Sequence, residues 1–134
     1  SMLIPTVDRY MTRHPWTIRR DATINQAHAL MREHGIRHLP VIDNDRIVGI
    51  VTVHDLHLIE TLLDVNPDEV QVEDAMTTEV YIASPDDELA DVVQRMAESK
   101  YGSAVVAKEH VVQGIFTSID ALEVLADFLR REAA

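Results

Sequence analysis

Hydrophobic positions along the chain alternate between two periods, and the whole pattern occurs twice. Arg9 to Thr12 reads as a short turn or helical stub, followed by the apolar pair Trp16 and Ile18. Ile24, Ala27, Leu30, Met31 and His34 then fall at helical spacing, with Asp21 upstream as an N-cap and Gly35 as the stop. His38 to Ile42 predicts a strand, Asp43-Asn44-Asp45 a turn, and Arg46 to Val51 a second strand. A second helix is predicted from about Val53 to Leu63, with Leu56, Ile59 and Leu63 on one face. In the second half Val80 to Ala83 predicts a strand, and Leu89, Val92, Val93 and Met96 a helix face. Ser103 to Ala107 and Val111 to Phe116 form the second hairpin, and Ile119, Leu122, Leu125 and Phe128 line a last helix.

Sliding the chain against itself by 65 residues makes the repetition explicit. Over residues 7–57 against 72–122 there are 11 identities in 51 gapless positions, including Met11-Thr12 with Met76-Thr77, and Gly49, Ile50, Thr52 and Asp55 with Gly114, Ile115, Thr117 and Asp120. Unrelated segments of ordinary composition would share about 3. The chain is a tandem duplication of a β-α-β-β-α unit: residues 3–64, a short linker 65–71 with the turn signal Asn66-Pro67, and residues 72–131. Two units joined so tightly are expected to pack their sheets together with helices outside, in an α/β (α+β) fold with pseudo-twofold symmetry.

Composition narrows the chemistry. The 134 residues contain no cysteine, which excludes disulfide scaffolds, cysteine nucleophiles and thiolate zinc sites. Twelve basic against 23 acidic residues give a formal charge of −11, unfavourable for nucleic acid or an anionic membrane. No apolar run approaches the roughly 20 residues of a membrane span. Ser1 before Met2 reads as a tag remnant, and the absence of a leader-like stretch suggests a cytoplasmic protein.

Met11-Thr12, Ala27, Met31, Gly35-Ile36-Arg37-His38-Leu39-Pro40-Val41 and Gly49-Ile50-Val51-Thr52-Val53-His54-Asp55 together resemble a cystathionine-β-synthase (CBS) domain. The second half keeps Met76-Thr77, Met96, Gly102, Val105-Val106 and Gly114 to Asp120, departing where Val105 replaces the proline and Ser103 stands in place of His38. The resemblance, to a tandem CBS pair or Bateman module, covers roughly residues 3–128. It implies a regulatory module that binds an adenine nucleotide or adenosyl compound in clefts between the repeats. No effector domain accompanies it, so an unidentified effector protein is implied, or a longer chain.

The sharpest motif is Gly-apolar-apolar-Thr-x-x-Asp at Gly49–Asp55 and Gly114–Asp120. By itself Thr-x-x-Asp is a capping box. A helix N-terminus also presents free amides to phosphate, and an Asp there can accept two ribose hydroxyls. The resemblance assigns phosphate contact to Thr52 and Thr117, and ribose contact to Asp55 and Asp120. It groups Ile50, His54 and His38 with the first pair, together with Val80, Tyr81, Ile82, Ser84 and Tyr101 from the other repeat. It groups Ile115, Ile119 and Ser103 with the second, together with His14, Thr17, Arg19, Ile36 and Arg37. The apolar members of both sets would be core residues in any case. The first site, flanked by His38 and His54, is expected to be the better one.

Other chemistries find little support. There is no nucleophile elbow, no phosphate-binding glycine loop and no paired carboxylates, so no catalytic residues or catalytic cofactor are expected. His54 and His57 stand three apart on a helix, a chelating spacing, but no carboxylate is read at a conventional partner spacing on the same face and no metal is expected. The apolar stretches Leu56-Ile59-Leu62-Leu63 and Leu122-Leu125-Phe128-Leu129 suggest a homodimer interface. The competing function is a structural or interaction module that dimerises around vestigial clefts.

Overall fold

A computed structural model describes residues 4–62 and 64–134. In chain order the elements are β1 (Thr12–Arg13), β2 (Ile18–Arg19), α1 (Ile24–His34), β3 (His38–Asp43), β4 (Arg46–Thr52), α2 (Val53–Glu60), β5 (Ile82–Ala83), α3 (Leu89–Ser99), β6 (Ser103–Lys108), β7 (Val111–Thr117) and α4 (Ser118–Ala133). Short 3-10 turns at Val7–Arg9 and Val72–Asp74 precede the two Met-Thr pairs. The fold is mixed α+β, with four helices and two sheets among the described residues.

The chain forms two compact units whose membership does not follow its order. One holds Pro15–Val80, and the other joins the start of the chain, up to His14, to Tyr81–Ala134.

In the unit Pro15–Val80 the strand order is β2-β3-β4, with β2 parallel and β4 antiparallel to β3. Ile18, Ile24, Ala27, Met31, Leu39, Val41, Val51, Leu56 and Val72 form its core. The segment after α2 is tied back by backbone bonds: Ile24 N–H to the Val70 carbonyl at 3.0 Å and Val72 N–H to that of Ala22 at 2.7 Å. It then runs beside β4, where Ile50 and Thr77 exchange two bonds of 2.9 Å. The other unit repeats this plan with the order β1-β7-β6-β5, β1 standing beside β7 as Thr77 stands beside β4. Val7, Met11, Leu89, Val92, Met96, Val106 and Phe116 lie in its core.

Several elements differ from the sequence reading. Thr23, not Asp21, caps α1: its hydroxyl accepts the Gln26 N–H, and the Gln26 side chain accepts the Thr23 N–H at 2.8 Å. Asp21 is instead held by Arg19 through two bonds of 3.0 and 3.1 Å, which keep its carboxyl below the usual range. Helix α2 stops at Glu60, because the Thr61 hydroxyl donates to the Leu58 carbonyl at 2.6 Å and the last turn tightens; Leu63, the last residue of the expected apolar face, lies outside the described residues, as do Ser1 to Leu3. Strand β5 covers only Ile82–Ala83, since Val80 N–H turns back to the Thr78 carbonyl.

Gly35 ends α1 in the left-handed region (φ 62°), as expected. Lys100 holds the equivalent place after α3 at φ 57°, although it has a side chain. Both hairpins turn through two residues of positive φ, Asn44-Asp45 in the first and Glu109-His110 in the second. Each also carries a register shift beside its glycine, between Val41 and Ile42 and between Val106 and Ala107.

Candidate functional site

The Thr-x-x-Asp motifs sit where a strand passes directly into a helix. At the first, Thr52 Oγ1 accepts the Asp55 N–H at 3.1 Å, and Asp55 Oδ2 accepts the Thr52 N–H at 2.9 Å. At the second the same bonds are 3.3 and 2.9 Å. Both are complete capping boxes, each contributing about 1 kcal/mol to its helix.

The boxes are closed differently. The Thr117 hydroxyl also donates to Asp120 Oδ2 at 3.2 Å, so its proton is already committed. Among the described residues Thr52 only accepts, so its hydroxyl proton has no acceptor there. In both boxes Oδ1 of the aspartate has no hydrogen-bond partner among the described residues. Val53 N–H is taken by the Arg37 carbonyl and Ser118 N–H by that of Gly102, each at 3.0 Å. The loop ahead of each hairpin is thereby held against the helix start.

Strand register sets the neighbours. His38 lies opposite Thr52 on the β3–β4 pair, and Ser103 opposite Thr117 on β6–β7. His38 is half-buried, and its imidazole titrates below its ordinary value, first because burial disfavours the charged form and then because Arg37 repels it; Asp55 pulls the other way. It is therefore neutral at pH 7, and the first site does not owe a positive charge to His38.

The unit Pro15–Val80 contains Ile50, Thr52, His54, Asp55, His38 and Val80 from the first set, and Thr17, Arg19, Ile36 and Arg37 from the second. The other unit contains Ile115, Thr117, Ile119, Asp120, Ser103 and His14 from the second set, and Tyr81, Ile82, Ser84 and Tyr101 from the first. Within each unit, register and capping bring together the strand end, the Thr-x-x-Asp box and the start of the hairpin. Arg19 is exposed and already bound by Asp21. The Tyr81 and Tyr101 rings stack at 5.5 Å, with the Arg95 guanidinium 5.4 Å from the Tyr81 ring centre.

Sequence reasoning did not anticipate the Met-Thr segments as neighbours of this region. Thr12 pairs with Ile115, and Thr77 with Ile50. Their signal was present, since Met-Thr and Gly-Ile recur together at the same offset. Arg95 carried no signal: its place beside Tyr81 comes from the packing of α3.

With this geometry in hand, comparison places the chain among known proteins. The model of the CBS domain family matches residues 7–58 and 72–127. The uncharacterized protein MJ0188 of Methanocaldococcus jannaschii is 29% identical over 119 residues, which cover 87% of this chain and 42% of that protein. The chain thus spans less than half the length of the first curated relatives it matches. A putative acetoin utilization protein (AcuB) from Vibrio cholerae has a crystal structure similar at a TM-score of 0.87, with 31% identity over 98% of both chains. The CBS domain pair of protein MJ0100, solved in complex with 5′-methylthioadenosine and S-adenosyl-L-methionine, is similar at 0.84, with 25% identity over 93% of this chain and 98% of that one.

Proposed function

The chain belongs to the CBS domain family as a tandem pair, and from that premise we propose that it is a non-enzymatic regulatory module binding an adenine nucleotide or adenosyl compound. The observation that carries this reading is the Thr52–Asp55 box, where a carboxylate oxygen and a hydroxyl proton stay uncommitted at a helix N-terminus. Asp55 Oδ1 accepts ribose hydroxyls, the Thr52 hydroxyl donates to a phosphate or other acceptor, and the helix dipole adds to that attraction. The related pair solved with an adenosyl thioether and an adenosyl sulfonium compound supports this ligand class.

The two boxes are unequal in this proposal. With the Thr117 proton committed to Asp120, the first site binds more tightly. Calorimetry with S-adenosylmethionine, methylthioadenosine, AMP, ADP and ATP on Asp55→Asn and Asp120→Asn tests it, since asparagine keeps a capping oxygen but loses the carboxylate. Loss of a charge-assisted contact at Asp55 weakens binding by about tenfold or more. If Asp120→Asn alone removes binding, the assignment is reversed. If no ligand binds, the boxes act only as caps, and the second reading, a dimerisation module, takes precedence. That reading has its own support in the exposed apolar face of α4, which suits a homodimer.

A further inference from the structure

The two repeats carry chemically opposite surfaces at equivalent positions. In the unit Pro15–Val80, α1 and α2 flank a groove of 930 Å³ lined among others by His28, Arg32, Arg37, His57 and Glu60. In the other unit α3 and α4 flank a groove of 490 Å³. At the offset of 65 that relates the repeats, His28, His57 and Glu60 correspond to Val93, Leu122 and Leu125, and all three line that second groove. Among the described residues, none that lines it is charged. The same pair of helices thus presents ionisable groups in one repeat and only apolar side chains in the other.

The apolar face is also wide. Ile4, Leu122, Leu125 and Phe128 share the groove, and Leu129 stands one turn after Leu125 on α4; the five are 49–64% exposed. Together they leave on the order of 600 Å² open. That is at the upper end of what monomers leave in one patch, and near the roughly 800 Å² that each partner buries in a stable complex.

We propose that the α3–α4 face is covered by the same face of a second copy of this chain, and not by that copy's α1–α2 face. This fixes which surfaces of a dimer meet, whatever the Thr-x-x-Asp boxes bind. The formal charge of −11 opposes an anionic bilayer as the occupant. Seating the apolar groove on an α1–α2 face would strip Arg32, Arg37 and Glu60 of water against side chains that offer them no partner. Pairing the face with itself buries apolar side chains on apolar side chains and brings one patch of both copies together, the usual symmetry of a homodimer.

The absence of cysteine allows a direct test. Leu122→Cys and Leu125→Cys are each treated with a short bismaleimide at micromolar concentration, without ligand. In parallel, Leu122→Cys and an affinity-tagged His57→Cys are unfolded in urea, refolded together and treated alike. Covalent dimers are expected from each leucine variant alone, and no tagged–untagged product from the mixture. Leu122→His with Leu125→Glu installs the residues of the other repeat, which that repeat accommodates in a folded unit, so an unchanged circular dichroism spectrum is expected. In light scattering across a dilution series the double variant raises the dimer Kd about tenfold or more. A wild-type mass of one chain overturns the proposal, as does a cross-link only in the mixture, none from either leucine variant alone, or a smaller change in Kd.

Discussion

Gly49 on β4 lies directly against Met76: a Cβ on the glycine would stand 2.6 Å from the methionine sulfur and 3.0 Å from the Thr77 carbonyl oxygen. Gly114 meets Met11 in the same way, with the Thr12 carbonyl oxygen at 2.8 Å. The glycine that opens Gly-x-x-Thr and the distant Met-Thr pair are therefore one packing device. It lets a second segment run beside the strand that carries the Thr-x-x-Asp box.

Gly49→Ala is accordingly expected to destabilise the protein by about 1–3 kcal/mol, as overpacking does in a closed site. Gly114→Ala should cost at least as much, because its closest backbone oxygen is nearer. Adding Met76→Ala to Gly49→Ala relieves the sulfur contact but not the backbone one, so the rescue is partial. Urea denaturation measures all three, and an unchanged midpoint for either single variant would contradict the account.

Lys100 follows α3 at φ 57° and ψ 39°, the conformation that Gly35 supplies after α1. A side chain in that region costs about 1 kcal/mol, so Lys100→Gly should raise stability despite the added freedom of the unfolded chain. The net gain is about 0.5 kcal/mol, read as an upward shift in Tm. A fall in Tm would mean that Lys100 makes contacts outweighing its backbone strain.

His38 links stability to pH with a definite sign. Its folded value lies below the ordinary one, so between the two the unfolded chain binds more protons. This contribution is complete above about pH 6.5 and is lost as pH falls through the folded value. His38→Gln should flatten the dependence of stability on pH below neutrality. Denaturation curves collected at about pH 7 and pH 5 give the slope, and parallel slopes for both proteins would remove His38 as its source.

Along α4, Ile119, Leu122, Leu125 and Phe128 are 58%, 59%, 49% and 56% exposed. Leu122, Leu125 and Phe128 share an apolar groove of 490 Å³ with Ile4 and Pro5. A large apolar surface left open in one chain favours self-association. The expected mass in solution is that of a dimer, about twice 15.1 kDa. Leu125→Glu together with Phe128→Glu should reduce it to one chain in light scattering, and a wild-type mass of one chain would defeat the expectation.

Local sequence determined what depends on neighbours along the chain. Helical spacing placed α1 and α3, turn residues placed the β3–β4 hairpin, and Thr-x-x-Asp marked the starts of α2 and α4, because each rests on contacts within a few residues. The offset of 65 revealed the duplication, and the resemblance built on it named the family. Tertiary structure decided where the two Met-Thr pairs go. Met11-Thr12 and Met76-Thr77 are alike, and so are Gly49-Ile50 and Gly114-Ile115, so local preference cannot choose between partners. The fold pairs Thr12 with Ile115 and Thr77 with Ile50, joining residues far apart in the chain. The same holds for His28 and Glu60, 32 positions apart, brought to 2.6 Å by the packing of α1 on α2. Side chains on separate helices meet only through the packing of the helices that carry them, and no local sequence signal encodes that distance.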